Sequence, residues 1–513
     1  MEYLQAPGKW FRDEKLIFRL AVGAGLLISL FSIVFIHDMY RDSAGVYAYA
    51  ARELAAGNFA EGWESRVPML NILLSAGLSV CGLEAFRATV VISCLFYWLT
   101  VFPLRRFLEQ FLTPLQAAWG CLFFVTAPKI IRYSVSGLID SSRYFFLIAA
   151  LYLLFKLREK TKYGDAVLFG LTLAGLSVSR GEELVFAVGL WLALILLPLL
   201  KSPGTFRSEL KPRLAALLLA GAVFLLGIAP FCAVNAHYTG FFITDVRIAQ
   251  AVLPAPPAEK RPPARKFWNS HRAQTTQGRL REVAYDTSRG AYEPFGILAL
   301  IGTLALLIKR RWRWEYTLLW GLYLVHAGLY FKVGSTYRYH IYLIPLFMPF
   351  TITGLLFFLD VYELLKLPEK LRNAVTWAAA AGLLVLLGGQ VLNGLQCVTD
   401  RKDVWIKEVA GIIREWGRTH VPGRKVRVAA TGLPVAVYWS EGFPVFGYKR
   451  GPGSLKETTD FDLLLINENL LDEIAGRTDL EPVPVPDRKN VEKDPGKRYL
   501  LFALKKPEKG GRK

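Results

Sequence analysis

The chain has 513 residues, 53% of them hydrophobic and 13% aromatic, with apolar runs of about 15 to 23 residues separated by short basic loops. Runs of that length match the hydrocarbon core of a bilayer, so the composition argues against a water-soluble enzyme and for a multi-pass membrane protein. A net charge of +20 would suit nucleic acid in a soluble chain. Here no basic domain stands clear of the apolar runs, and the charge is read as orienting helices and meeting anionic lipid.

The first run, 16–36, has no small-residue cleavage site after it and reads as an uncleaved transmembrane helix. It is followed by IHDMYRDSAGVYAYARELAAGNF at 36–58, which places Asp38 and Asp42 where the chain leaves the bilayer. Further spans are expected near 88–104, 115–127, 138–155, 166–179, 184–200, 214–234, 294–308, 315–331, 339–359 and 374–396. One more apolar run, 69–80, is ambiguous, and if it crossed, every later loop would change sides.

Lysine and arginine decide between the two topologies. With 69–80 not crossing and the amino terminus cytoplasmic, the cytoplasmic loops hold Arg105 and Arg106, Lys156 to Lys162, Lys201 to Arg213, Lys309 to Arg313, and Lys366 to Arg372. The alternative puts all of them outside, against the positive-inside bias. Residues 44–80 are therefore expected as helices lying on the outer surface, and the total is about eleven spans.

The same assignment collects 37–87, 127–140, 179–183, 235–293, 332–340 and everything after 397 on the outer face. DVWIKEVAGIIREWGR has helical spacing, while KVRVAAT, FDLLLI and RYLLFALKK read as strands. The expected division is a transmembrane domain at 1–396 and a small extracytoplasmic α/β domain at 397–513. The stretch 254–266 is a proline-rich basic loop. Five cysteines are scattered without metal or redox spacing and read as packing residues.

The outer face gathers candidate chemistry. Asp42 and Asp140 lie at one depth, where a carboxylate could accept a proton from a nucleophilic hydroxyl; Asp140 could equally cap a helix, and Asp38 reads as structural. Arg66, Lys129, Arg132, Arg180 and Arg338 lie where the positive-inside bias disfavours them, and an anionic lipid phosphate would account for them. Tyr337, Tyr339 and Tyr342 suit an interfacial belt, and His37, His237 and His340 lack metal-ligand spacing.

These residues resemble a known family. RDSAGVYAYARELAAGNF is similar to the first outer loop of the membrane-embedded GT-C glycosyltransferases of the protein mannosyltransferase and aminoarabinose transferase type, through Asp42, Tyr47, Ala51, Arg52 and Gly57. SRVPMLNILLSAGLSVCGLEAFRAT resembles its basic-Pro-Pro-Leu segment and surface helix. Pro128 and Asp140, then Arg180 and Glu182, then Arg338, Tyr339 and Pro345 match three later segments in order. Two departures stand out: Ser43 occupies the place where many members have Glu, and Val67 replaces the first Pro.

The resemblance implies a GT-C-like helical membrane fold in a bacterial inner membrane. It implies transfer of a sugar from a polyprenyl-phosphate carrier to a lipid, glycan or protein hydroxyl on the outer side, with inversion. Asp42 and Asp140 would then be catalytic, and Arg66, Lys129, Arg180 and Arg338 would hold the donor phosphate. Tyr47, Glu182 and Tyr339 would support them. The resemblance makes no cofactor certain, and a divalent metal stays open. The rival class is a polytopic transporter or lipid flippase, which would place ionisable residues near helix centres.

Overall fold

The computed structural model describes residues 13–36, 42–63, 67, 69–199, 203–244, 275–333, 336–364, 368–399, 404–430, 434–445, 461–467, 471–474, 476–485 and 499–505. Helix α1 (Glu14–Phe35) begins at Asp13, whose carboxylate accepts the Lys15 and Leu16 amides at 2.9 and 3.1 Å. At about 1.5 Å per residue it is roughly 33 Å long, enough to cross a bilayer.

Short helices follow, as expected for 44–80: a π-turn (Ser43–Tyr47), α2 (Ala48–Ala55), α3 (Phe59–Gly62) and α4 (Leu70–Val80). Helix α4 is roughly 16 Å long, half the bilayer core, so it cannot cross as a straight helix. Helix α5 (Ala85–Leu108) starts at the Glu84 cap and runs antiparallel to α1. Arg87 near its start donates to the Ile33 carbonyl at 2.6 Å, and Arg105 near its end meets Glu14 at 2.6 Å.

The helical body continues through α6 (Pro114–Thr126), α7 (Pro128–Ser134), α8 (Asp140–Glu159), α9 (Tyr163–Ser179), α10 (Glu183–Leu199) and α11 (Pro203–Thr239). It is completed by α12 (Thr276–Gly290), α13 (Glu293–Ile308), α14 (Trp314–Val333), a 3-10 turn (Tyr337–His340), α15 (Leu343–Leu364) and α16 (Glu369–Thr399). Helices α13 and α15 touch backbone to backbone: a Cβ on Gly302 would lie 1.9 Å from the Phe350 carbonyl, and one on Gly354 2.1 Å from that of Leu298. Small residues at such crossings are how apolar helices associate in lipid. Outward faces leave Leu27, Leu226, Ile308 and Val385 about 70% exposed or more, the pattern of a lipid-facing surface.

Among the described helices, α1, α5 and the Leu210–Tyr238 part of α11 are long and apolar enough to cross alone. Counting the bent pairs α6 with α7 (57°) and α12 with α13 (99°) as single spans gives up to five. The expected eleven are not all recovered by length and composition, because α9, α10, α15 and α16 offer only shorter apolar stretches and α8 carries Asp140 and Arg143. Two local expectations change. The span placed at 339–359 is preceded by the 3-10 turn and starts at Leu343, and the 235–293 loop contains helix α12.

After the helices come α17 (Val404–His420), β1 (Arg427–Ala430), α18 (Pro434–Trp439), β2 (Phe443–Val445), β3 (Leu463–Asn467), α19 (Leu471–Ile474), β4 (Leu480–Val483) and β5 (Tyr499–Leu504). The mixed sheet has order β2-β1-β3-β5-β4, parallel from β2 to β3 and antiparallel across β5. Alternation in β3 serves both faces: Leu463 and Leu465 pack with Val409 and Ile413 of α17, while Leu464 and Ile466 pack with Phe461 and Ile474. Strands β2 and β4 were not among the expected ones.

Candidate active site

Asp42 immediately precedes the π-turn, whose buried side holds Ser43, Ala44, Gly45 and Tyr47. Gly137 brings the Asp140 loop against this turn. Its φ is +68°, and a Cβ there would lie 2.7 Å from Thr89 Oγ1 and 3.0 Å from Ser43 Oγ. Only glycine meets both demands without strain. Three residues later α8 opens, putting Asp140 beside the first outer loop.

Asp140 is in the first turn of α8 but does not cap it. Its side chain is 1% exposed, and each oxygen meets a guanidinium: Oδ1 accepts from Arg180 at 2.9 Å and Oδ2 from Arg338 at 2.7 Å. Arg338 also donates to Oδ2 of Asp42, so it bridges the two carboxylates. Asp42 itself is 48% exposed. Arg180 Nε meets Glu182 at 3.2 Å, and its guanidinium lies 4.2 Å above the Tyr339 ring. Two arginines against Asp42, Asp140 and Glu182 leave this group one negative charge.

Tyr47 is buried beside this cluster and feels the charges of Arg338, Asp42, Asp140 and Arg180; burial pushes its phenol above its ordinary range. Five of the nine expected site residues, Asp42, Asp140, Arg180, Glu182 and Arg338, thus form one group of charges, with Tyr47 buried beside it and Tyr339 stacked against it. Lys129 is set apart: it lies 3.8 Å from Glu293 and 5.6 Å from the centre of the Tyr292 ring. Arg66, with Asp38 and His37, lies outside the described residues.

The sequence reading missed Arg143, three positions after Asp140 on α8. Its side chain is 1% exposed and organises the layer beneath the site. It donates to the Tyr339 carbonyl at 2.7 Å, contacts Glu183 at 2.5 Å and His326 Nδ1 at 3.0 Å, and lies 4.1 Å from the centre of the Tyr342 ring. Arg143 therefore anchors the 3-10 turn that presents Arg338. A charge at one-turn spacing from Asp140 inside an apolar helix was the available signal.

Tyr337 and Tyr133 share a 2.5 Å hydroxyl contact, and Arg289 lies 4.8 Å above the Tyr337 ring, extending the cationic rim toward Lys129. His340 is buried, with Nδ1 3.2 Å from Thr287 Oγ1. Among the described residues no group of three His, Cys, Asp or Glu side chains is placed to hold a metal ion.

No family model matches the chain, and no curated protein matches it by sequence. Its structure is similar to the crystal structure of ArnT from Cupriavidus metallidurans bound to undecaprenyl phosphate, with TM-score 0.59 and 13% identity over 95% of this chain and 99% of that one. The apo structure of the same protein gives TM-score 0.57 and 13% identity, over 95% and 98% of the two chains. At this identity the likeness is one of fold. The chain has the ArnT-like GT-C architecture over nearly its whole length, that of a multi-pass membrane protein with a small mixed carboxyl-terminal sheet.

Proposed function

We propose that this protein is a membrane glycosyltransferase that moves a sugar from a polyprenyl-phosphate carrier to an acceptor hydroxyl. The acceptor side is the face opposite the basic loops, in a bacterial inner membrane with the amino terminus cytoplasmic. The observation that carries the reading is the bridge Asp42–Arg338–Asp140–Arg180 on a fold whose ArnT counterpart was crystallised with undecaprenyl phosphate.

Roles follow from exposure and partners. Asp42, half-exposed, is the carboxylate an acceptor can reach. The acceptor oxygen attacks the anomeric carbon while its proton passes to Asp42. The bond from that carbon to the phosphate oxygen breaks on the opposite face, leaving its electron pair on the phosphate and inverting the centre. Arg338 and Arg180 face the departing phosphate, where fixed cations stabilise developing charge. Asp140 is saturated by the two arginines, which suits it to orient them rather than to take a proton.

Arg338 cannot fully serve Asp42, Asp140 and a phosphate at once. The half-exposed link to Asp42 is the weaker one, so donor binding draws Arg338 from Asp42 and releases that carboxylate to act as a base. Lys129 and Arg289 add charge at the rim. A transporter reading lacks support in this geometry, because the cluster joins the ends of α8 and α9 to loops instead of lying midway along helices.

Binding of undecaprenyl phosphate to the protein in nanodiscs tests the donor class. Wild type should bind, and Arg338→Gln should bind about 10- to 100-fold more weakly, the loss expected for a charge-assisted contact. Absence of binding to wild type, or equal binding by both, would overturn the assignment.

A further inference from the structure

The carboxyl-terminal domain grips the loop that carries Asp42. Glu53 of α2 is 1% exposed, and its carboxylate accepts from Lys425 and, at 3.0 Å, from Asn58. Its neighbour Arg52 donates to the Tyr438 carbonyl at 3.0 Å and lies 4.8 Å above the Tyr438 ring. The Tyr438 hydroxyl donates to Glu84, the cap of α5, and accepts the Phe86 amide at 3.2 Å. Helix α18, which carries Tyr438, packs directly on the π-turn.

We infer that Lys425 and Tyr438 are positioning residues for Asp42. They pin α2 against the start of α5 and so fix the π-turn that Asp42 precedes, keeping its carboxylate placed for the acceptor when Arg338 turns to the donor. The inference rests on the reading of Asp42 as the base.

Three observations carry it. A π-turn is an intrinsically rare and weak conformation that depends on surrounding packing. Asp42 is nearly half-exposed, so little of its own burial holds it. The phosphate-facing arginines have separate supports, Asp140 and Glu182 for Arg180, and Asp140 with the Arg143-anchored turn for Arg338. Loosening the grip therefore moves the base and leaves the cations in place. The signature is a loss in kcat without a loss in donor binding.

The experiment uses the full chain in nanodiscs, a panel of undecaprenyl-phosphate-linked hexoses and pentoses for turnover, and undecaprenyl phosphate for binding. Lys425→Met should lower kcat about tenfold, Lys425→Arg should restore it to within about threefold, and both should keep donor KM and undecaprenyl phosphate affinity within about twofold. Tyr438→Phe, which keeps the ring over Arg52, should also lower kcat selectively, and it serves if Lys425→Met does not fold. In an Asp42→Asn background, Lys425→Met should reduce residual turnover no further.

Wild-type turnover in both single variants, or equal losses of turnover and undecaprenyl phosphate affinity, would overturn the inference. Full activity of Asp42→Asn would instead remove the reading on which it rests. An inactive Asp42→Asn beside fully active Lys425→Met and Tyr438→Phe would remove only the positioning role.

Discussion

Asp42→Asn and Asp140→Asn are nearly the same chemical change, yet the structure assigns them opposite costs. Asp42 is 48% exposed and its single described ion pair is with Arg338; an ion pair open to water on one side contributes under about 1 kcal/mol. Asp140 is 1% exposed with a guanidinium on each oxygen, and removing one partner from a buried pair costs about 3–5 kcal/mol. Asp42→Asn should therefore insert and unfold like wild type while losing about 10²- to 10⁴-fold in turnover, the usual contribution of a general base. Asp140→Asn should be markedly less stable and inactive, because both arginines lose their common anchor. The assay pairs thermal unfolding in detergent with turnover of undecaprenyl-phosphate-linked sugars in nanodiscs. If Asp42→Asn kept a tenth or more of wild-type turnover, the base assignment would fail; an Asp140→Asn protein as stable as wild type would refute the energetic reasoning.

Gly137→Ala should lower stability by about 1–3 kcal/mol, the strain of forcing a side chain into a left-handed backbone, and reduce turnover by pushing Ser43 beside Asp42; unchanged melting and rate would contradict this. Burial alone would raise the Glu53 carboxyl, but the bonds from Lys425 and Asn58 and the charges of Lys425 and Arg52 hold it below its ordinary 4.5. A depressed carboxyl stabilises above its unfolded pKa and loses that contribution as pH falls through the folded value. Protection of the 48–55 amides relative to their intrinsic exchange rates should accordingly fall as pH drops below about 4.5, and at higher pH in Lys425→Met; among the described residues Glu61, 3.8 Å from Lys425, is another acid facing the pair. For topology, the exposed Cys81 should react with an impermeant thiol reagent from the outer side in a Cys397→Ser protein. A Cys81→Ser, Cys397→Ser, Lys160→Cys protein should react from the cytoplasmic side, and the reverse pattern would invert the assignment.

Much of the candidate site was legible because charges at the ends of apolar helices are costly and therefore conspicuous. Asp42, Asp140, Arg180 and Arg338 stood out one by one as outer-face charges, and the ordered resemblance grouped them and added Glu182. Their pairing was not legible: nothing in the spacing says that Arg338 reaches back 198 positions to Asp140. Arg143 was hidden for a different reason, since a charge inside DSSRYFFLIAALYLLF looks like part of the helix end until its partners Glu183, His326 and the Tyr339 carbonyl are seen together. In the fold, the helical body and strands β1, β3 and β5 followed from apolar runs, whereas β4, with the sequence LEPV, offers too little alternation. Bends between α6 and α7 and between α12 and α13 depend on tertiary packing, so hydropathy could not count spans reliably.

The proposed reaction breaks a glycosyl bond to a polyprenyl phosphate and remakes it on an acceptor. It is tested most directly by incubating the reconstituted protein with an undecaprenyl-phosphate-linked sugar of known anomeric configuration and a bacterial envelope extract. Mass spectrometry then follows the lipid, and magnetic resonance the product. One undecaprenyl phosphate should be released per glycosyl unit transferred, with an inverted anomeric centre, and Asp42→Asn should abolish both. Appearance of the intact lipid-linked sugar on the other leaflet, with no free undecaprenyl phosphate, would contradict the proposed reaction.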